Sequence, residues 1–210
     1  MWRVVGVSNA ITAAVIVAMS LLQVARRDVA PLCTLGVIVA NVLTKALKHL
    51  LQRLLPPAVW RRPPASSRDS RADPGFPSSH TTIMTFIAVY FAWYLRALRG
   101  WGPWPSGCVA VAPPVLMALA RICDDDHTAA QTVGGLVCGW FLGSFWASAM
   151  STFAGETLRR GEPQPWAMVL LVFAVGLPMF LWPLPKKVAA RVRCLASRGV
   201  ASGRRLGPRG

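Results

Sequence analysis

The chain has 210 residues, 54% of them hydrophobic, with mean hydropathy +0.44 and a formal net charge of +15. So apolar a composition excludes an ordinary soluble domain and points to a small multi-span membrane protein. The charge is uneven: eight of the 23 basic residues follow residue 185, where they suit anionic lipid headgroups better than nucleic acid.

A span needs roughly 20 largely apolar residues. Six stretches qualify in chain order: 4–25, 31–51, 81–98, 108–122, 128–153 and 166–183. The first follows Arg3 and ends at Arg26–Arg27 without a small-residue cleavage site, so it reads as a retained span rather than a signal peptide. The fourth is the shortest and carries Pro113–Pro114; it is either kinked or begins earlier, near Trp101. The sixth ends in "GLPMFLWPLP", which fits a re-entrant or interfacial segment as well as a span. The expected fold is therefore all-α, a polytopic membrane helical bundle of five to six transmembrane helices. Residues 1–185 form the membrane domain, and 186–210 a basic, disordered tail. Five cysteines without CxxC spacing give no zinc site and no disulfide framework.

Ionisable groups in a membrane protein gather at ends, cavities and functional sites, because each one costs free energy in hydrocarbon. The loops at 26–28, 96–100 and 154–165 carry arginine pairs and little else. Two other segments are richer. Residues 48–80 hold Lys48, Arg53, Arg61, Arg62, Arg68, Arg71 and His80, and residues 120–131 hold Arg121, Asp124, Asp125, Asp126, His127 and Gln131. If all six stretches cross, the loops after the second and the fourth lie on one face, where the two segments can meet.

Arginine's planar fork matches phosphate oxygens, and lysine supplies a compact charge. Histidine acts as nucleophile or general acid near neutral pH. Cations, two histidines and serine hydroxyls at a membrane face suit cleavage of a phosphate ester or anhydride on a lipid, with the positive charge stabilising an anionic transition state without a metal. His127 and Gln131 are four residues apart and share a helix face. The amide oxygen of Gln131 can then accept from one ring nitrogen and leave the other free to attack phosphorus. Ser78, Ser79 and His80 open the third span, where backbone amides of a first turn favour an anion.

These residues match a family pattern. "PSSH" (77–80) followed by "ARICDDDHTAAQ" (120–131) resembles the second and third signature motifs of the type-2 phosphatidic acid phosphatase superfamily. The third motif there reads S-R-x5-H-x3-D; Arg121, His127 and Gln131 keep its spacing, with Ala120 in place of the serine and Gln131 in place of the aspartate. The paired serines, the "HT" at 127–128 and the glutamine look like the dolichyl diphosphate phosphatase branch, as does "NVLTKALKHLLQ" (41–52). The first motif departs. The family reads K-x6-R-P, whereas thirteen residues separate Lys48 from Arg62–Pro63, which implies a seven-residue insertion. Lys45 competes with Lys48 for that motif, and Arg53 and Arg61 compete with Arg62. The resemblance covers roughly residues 41–140.

The resemblance implies His127 as nucleophile, oriented by Gln131, and His80 as the acid that protonates the leaving group. It implies Lys48, Arg62, Ser78, Ser79 and Arg121 as holders of the phosphoryl oxygens, and no metal or other cofactor. It implies a polyisoprenoid diphosphate lipid as substrate, dolichyl diphosphate going to dolichyl phosphate on the lumenal side of the endoplasmic reticulum membrane, in support of protein N-glycosylation. Other readings stand beside it: a phosphatidate or sphingoid phosphate phosphatase, or a headgroup transferase, of the same superfamily, and a non-catalytic scaffold binding anionic lipid through the basic tail. A small transporter or channel needs charges within the spans, which lack them apart from Lys45 and Lys48. A magnesium site at Asp124–Asp126 ranks second to solvated loop charges that offset nearby arginines. His49 matches no motif position. Arg26–Arg27, Arg96, Arg99 and Arg159–Arg160 mark the opposite face as cytoplasmic. With six spans the basic tail would share the lumenal face, a conflict that leaves either a non-spanning sixth stretch or an unusual topology.

Overall fold

A computed structural model of the chain describes residues 29–64, 66, 73–160 and 162, with single positions at 11, 12, 14, 15, 18, 21, 170 and 174. The chain divides into two compact units, Met1–Pro165 and Trp166–Gly210, and every helix named below belongs to the first. The expected spans at 4–25 and 166–183, and the tail 186–210, lie outside the described residues, apart from those single positions.

Six helices follow one another and no strand occurs among the described residues: α1 (Ala30–Leu54), α2 (Pro57–Trp60), α3 (Ser79–Arg99), α4 (Pro103–Cys123), α5 (Ala129–Phe153) and α6 (Gly155–Arg160). Four of them, α1, α3, α4 and α5, are long and apolar enough to cross a membrane. The all-α membrane bundle expected from the sequence is therefore the observed architecture. The fourth stretch does begin early, at Pro103, and runs through Pro113–Pro114 as one helix.

Local chemistry sets the boundaries. Pro31 starts α1, where its missing N–H is no loss. Pro56 and Pro57 end it, since the residue before a proline is pushed out of the helical region; Leu55 is extended, at φ −103° and ψ 151°. At the far end of α3, Gly100 takes the left-handed conformation (φ 68°) that closes a helix, and its N–H donates to the Leu95 carbonyl. Thr128 starts α5 with a full capping box: its hydroxyl accepts from the Gln131 N–H, and the Gln131 side chain accepts from the Thr128 N–H.

The core is built on α3. Its neighbour α5 presents Gly135, Gly139, Gly143 and Ala147, four residues apart and all buried. A Cβ at Gly135 would stand 2.7 Å from the Ser78 carbonyl oxygen, and one at Gly139 would strike the Thr82 carbonyl oxygen. Small residues thus let the two backbones come close, as helices do in membranes. Gly36 of α1 makes similar room for Phe86 of α3 and Trp146 of α5. The opposite side of α5 keeps Val133, Val137, Trp140, Phe141 and Phe145 exposed, a surface suited to lipid.

Because the four long helices alternate in direction, the α1–α3 connection and the α4–α5 turn share one end of the bundle. The two polar segments therefore do meet, as the parity of the spans predicts. Arg96 and Arg99 of α3 and Arg159 and Arg160 of α6 are at the other end.

Candidate active site

At the shared end three cations are buried together with a histidine. Lys48 comes from the last turns of α1. Its inward position follows from the buried stripe Cys33, Val37, Ala40, Thr44 and Lys48, which keeps helical spacing; Lys45 and His49 fall off that face and are exposed. Arg62 follows α2 and Arg121 ends α4; their side chains retain 1% and 0% exposure.

Two aspartates hold these cations. Asp73 bridges the first two, with Oδ1 2.8 Å from Lys48 Nζ and Oδ2 2.7 Å from Arg62 Nη2. Its carbonyl also accepts from Arg62 Nε at 2.9 Å. Asp126 Oδ2 lies 2.8 Å from Arg121 Nη2, and the Asp126 carbonyl accepts from Arg62 Nη1 at 3.1 Å. The turn that carries Asp126 is tight: Asp125 has φ 55°, and the Asp126 N–H donates to the Arg121 carbonyl. Asp124–Asp126 thus do not gather round one point. Asp126 offsets an arginine, as the sequence reading held, while Asp125 is exposed.

His127 sits between the cations and α5. Arg62 Nη1 donates toward its Nε2 at 2.9 Å, and its Nδ1 lies 3.2 Å from Gln131 Oε1. The roles can be assigned from the network. Gln131 Nε2 donates to the carbonyls of Val59 (3.1 Å) and Arg61 (2.6 Å), so Oε1 is the amide end that faces His127. An acceptor there requires the proton on Nδ1, which leaves the lone pair on Nε2, facing Arg62. Burial lowers the pKa of His127 from 6.5 to about 2, reinforced by the charges of Arg62, Arg121, Lys48 and His80. The ring is therefore neutral at physiological pH.

The structure brings together Lys48, Arg62, Arg121, His127 and Gln131. His80, half-buried in the first turn of α3, is close enough to act electrostatically on His127. It also separates the competitors for the first motif: Lys45, Arg53 and Arg61 are exposed, and the Arg61 guanidinium lies over the Trp60 ring at 5.7 Å. The inserted segment folds as α2 and reaches His127 through Arg62. The expectation for Ser78 needs correction. Its N–H does not face the cations but donates to the Gln131 carbonyl at 3.0 Å, and its hydroxyl accepts from Thr81 Oγ1 at 3.1 Å. The close approach of α3 to α5 uses up that amide. Ser78 occupies the N-cap position of α3 without a capping side-chain bond, and Ser79 is half-buried beside it. Asp73 escaped the sequence reading because an isolated aspartate in a loop carries no spacing signal.

The family model of the PAP2 superfamily matches residues 29–154, well over half of the chain. The chain belongs to the PAP2 superfamily. The match runs from the start of α1 to the end of α5, so it includes all the elements that carry the site. This PAP2 superfamily member is thus a multi-pass membrane phosphatase with a lipid as its class of substrate. No curated protein and no solved structure gives a match.

Proposed function

We propose that this PAP2 superfamily member hydrolyses dolichyl diphosphate to dolichyl phosphate and inorganic phosphate, through a phosphohistidine, on the lumenal face of the endoplasmic reticulum membrane, in support of protein N-glycosylation. The observation that carries the reading is the pairing of a neutral His127, its Nε2 lone pair turned toward Arg62, with Lys48 and Arg121 buried in the same site. A nucleophilic nitrogen and the charges that stabilise a transferring phosphoryl group are in one place. The dolichyl branch is supported by the "PSSH" serines and by the H-T-x-x-Q run of residues 127–131.

In this reading His127 Nε2 attacks the terminal phosphorus. The bond from that phosphorus to the bridging oxygen breaks, and His80 gives its proton to the departing dolichyl phosphate. Lys48, Arg62 and Arg121 take up the charge on the phosphoryl oxygens. Gln131 Oε1 holds the Nδ1 proton, so the ring keeps the correct tautomer as it becomes positive. Water, deprotonated by His80, then attacks the phosphohistidine; phosphate leaves and His127 is restored. Ser79 joins Lys48, Arg62 and Arg121 in holding the phosphoryl oxygens, and Ser78 contributes through the position of the α3 N-terminus that carries His80. The arginines at the opposite end of the bundle support a lumenal site.

The test is phosphate release by the purified protein in detergent with chelator present, from dolichyl diphosphate, dolichyl monophosphate and phosphatidic acid in parallel. Selective cleavage of the diphosphate, abolished in His127→Ala, is the expected result. Preference for phosphatidic acid overturns the substrate, and no release from any of the three overturns the reading as an enzyme.

A further inference from the structure

We infer that Asp73 is an internal competitor for the phosphoryl site, a carboxylate that holds Lys48 and Arg62 until the substrate phosphate takes its place. The inference rests on the anion-site reading above and adds a residue that determines affinity for the phosphoryl group.

Three observations carry it. Asp73 bonds the same two cations a phosphoryl group would need, one through each oxygen, at 2.8 and 2.7 Å. Two oxygens on one centre, each meeting one donor, is the pattern one edge of a phosphoryl group would present. Second, the two acids of the site differ in exposure. Asp126 is 16% exposed and tied on several sides: its carboxylate is ion-paired with Arg121, Ser66 donates to Oδ1, Arg62 donates to its carbonyl, and its N–H donates to the Arg121 carbonyl. The Asp73 side chain is 42% exposed. Third, Arg62 Nε is bound to the Asp73 backbone carbonyl rather than to the carboxylate. A rotation of the Asp73 side chain therefore leaves this backbone contact to Arg62 in place.

Charge supports the exchange. Departure of the Asp73 carboxylate takes one negative charge away from Lys48 and Arg62, while Asp126 stays paired with Arg121. A phosphoryl dianion at neutral pH more than replaces that charge. With Asp73 bound, the incoming phosphate must first displace a charge-assisted pair, which weakens its apparent affinity.

Orthovanadate is the probe, titrated calorimetrically into the full-length protein in detergent. Asp73→Asn removes the competing charge and is expected to bind vanadate about 10-fold more tightly than the wild type. Asp73→Glu restores a competing carboxylate and is expected to stay within about threefold of the wild type. Equal or weaker binding by Asp73→Asn overturns the inference and makes Asp73 a positioning residue instead. A second measurement uses the unaltered protein: carbodiimide labelling of carboxylates, read by mass spectrometry, is expected to rise at Asp73 when vanadate saturates the site. No rise at Asp73 overturns the inference even if the variants do not fold. Wild-type protein that binds no vanadate overturns the anion-site reading itself, and this inference with it.

Discussion

Gln131 donates its side-chain amide to the carbonyl of Arg61 at 2.6 Å, seventy residues away in the chain. The same NH2 group reaches Val59, while its oxygen accepts from His127 and from the Thr128 N–H. All four hydrogen-bonding positions of the amide are therefore used, in a residue with no solvent exposure. Two of the departures from the superfamily pattern, the inserted segment and Gln131, explain each other here. The inserted segment presents two carbonyls to position 131, and only a side chain that both donates and accepts can serve them and the histidine.

The nearly isosteric Gln131→Glu would set a carboxylate against those two carbonyls. We expect it to cost more stability than Gln131→Ala, by about 2 kcal/mol or more, because a buried charge facing acceptors is worse than a small cavity. Gln131→Asp, the residue of the superfamily motif, should behave like Glu and not rescue. Gln131→Ala should fold and lose on the order of 100-fold in phosphate release, since the His127 tautomer is no longer held. Thermal unfolding in detergent beside turnover separates the two effects. Full activity in Gln131→Ala would remove the residue from the mechanism.

Much of this was legible beforehand, for reasons that can be named. Hydrophobic run lengths mark the four long helices, because crossing a membrane is a demand on composition alone. Arg121, His127 and Gln131 lie within one turn–helix junction, so their spacing carries their geometry. The Lys45–Lys48 ambiguity was also soluble in principle: the 33, 37, 40, 44, 48 stripe puts Lys48 on the inward face. Asp73 was not legible. Its meeting with Lys48 and Arg62 depends on how a proline-rich loop folds back, through the Gly75 N–H on the Trp60 carbonyl at 2.7 Å. Nor could spacing reveal that the Ser78 amide is used by Gln131, because that depends on how closely α3 and α5 approach.

The low pKa of His127 gives a pH prediction. In the unfolded chain a histidine takes up a proton near 6.5, whereas in the fold it remains neutral down to about 2. Between those values the unfolded state binds more protons, so stability falls as pH drops below about 6.5 and is fully present above it, with a slope of at most about 1.4 kcal/mol per pH unit. His127→Gln should flatten that slope in urea titrations at pH 5 and 7. In catalysis the neutral ring persists into acid, so the acid limb of kcat/KM should show no inflection from His127 near 6.5. A phosphoryl dianion cancels part of the surrounding positive charge, which places the corresponding limb of kcat at higher pH than that of kcat/KM.

The glycine stripe of α5 ties stability to activity. A side chain at Gly139 would strike the Thr82 carbonyl oxygen and stand 2.6 Å from Thr85 Cβ. Gly139→Val should therefore cost about 1–3 kcal/mol by overpacking and push the N-terminus of α3, with His80, away from His127. Turnover should fall even below the unfolding temperature. Gly107→Ala is the control: a Cβ there meets nothing within 4 Å, so melting and turnover should be near wild type. Equal tolerance at both positions would show that the approach of α3 to α5 does not position the site.

Arg61 and Arg62 are adjacent in sequence and opposite in role. The Arg62 fork spreads over the Asp73 carbonyl and carboxylate, the Asp126 carbonyl and His127 Nε2. Arg61 is exposed and lies over Trp60. A lysine in place of Arg62 keeps the charge but has one nitrogen, which cannot meet acceptors on three sides. Arg62→Lys should lower kcat/KM for the lipid substrate by about 10- to 100-fold, the range expected for losing one strong charge-assisted contact. Arg61→Lys should stay within about twofold, because an exposed cation–π contact contributes little. If Arg62→Lys were as active as Arg61→Lys, charge alone would suffice at position 62. The planar geometry that links the inserted segment to His127 would then have no part in turnover.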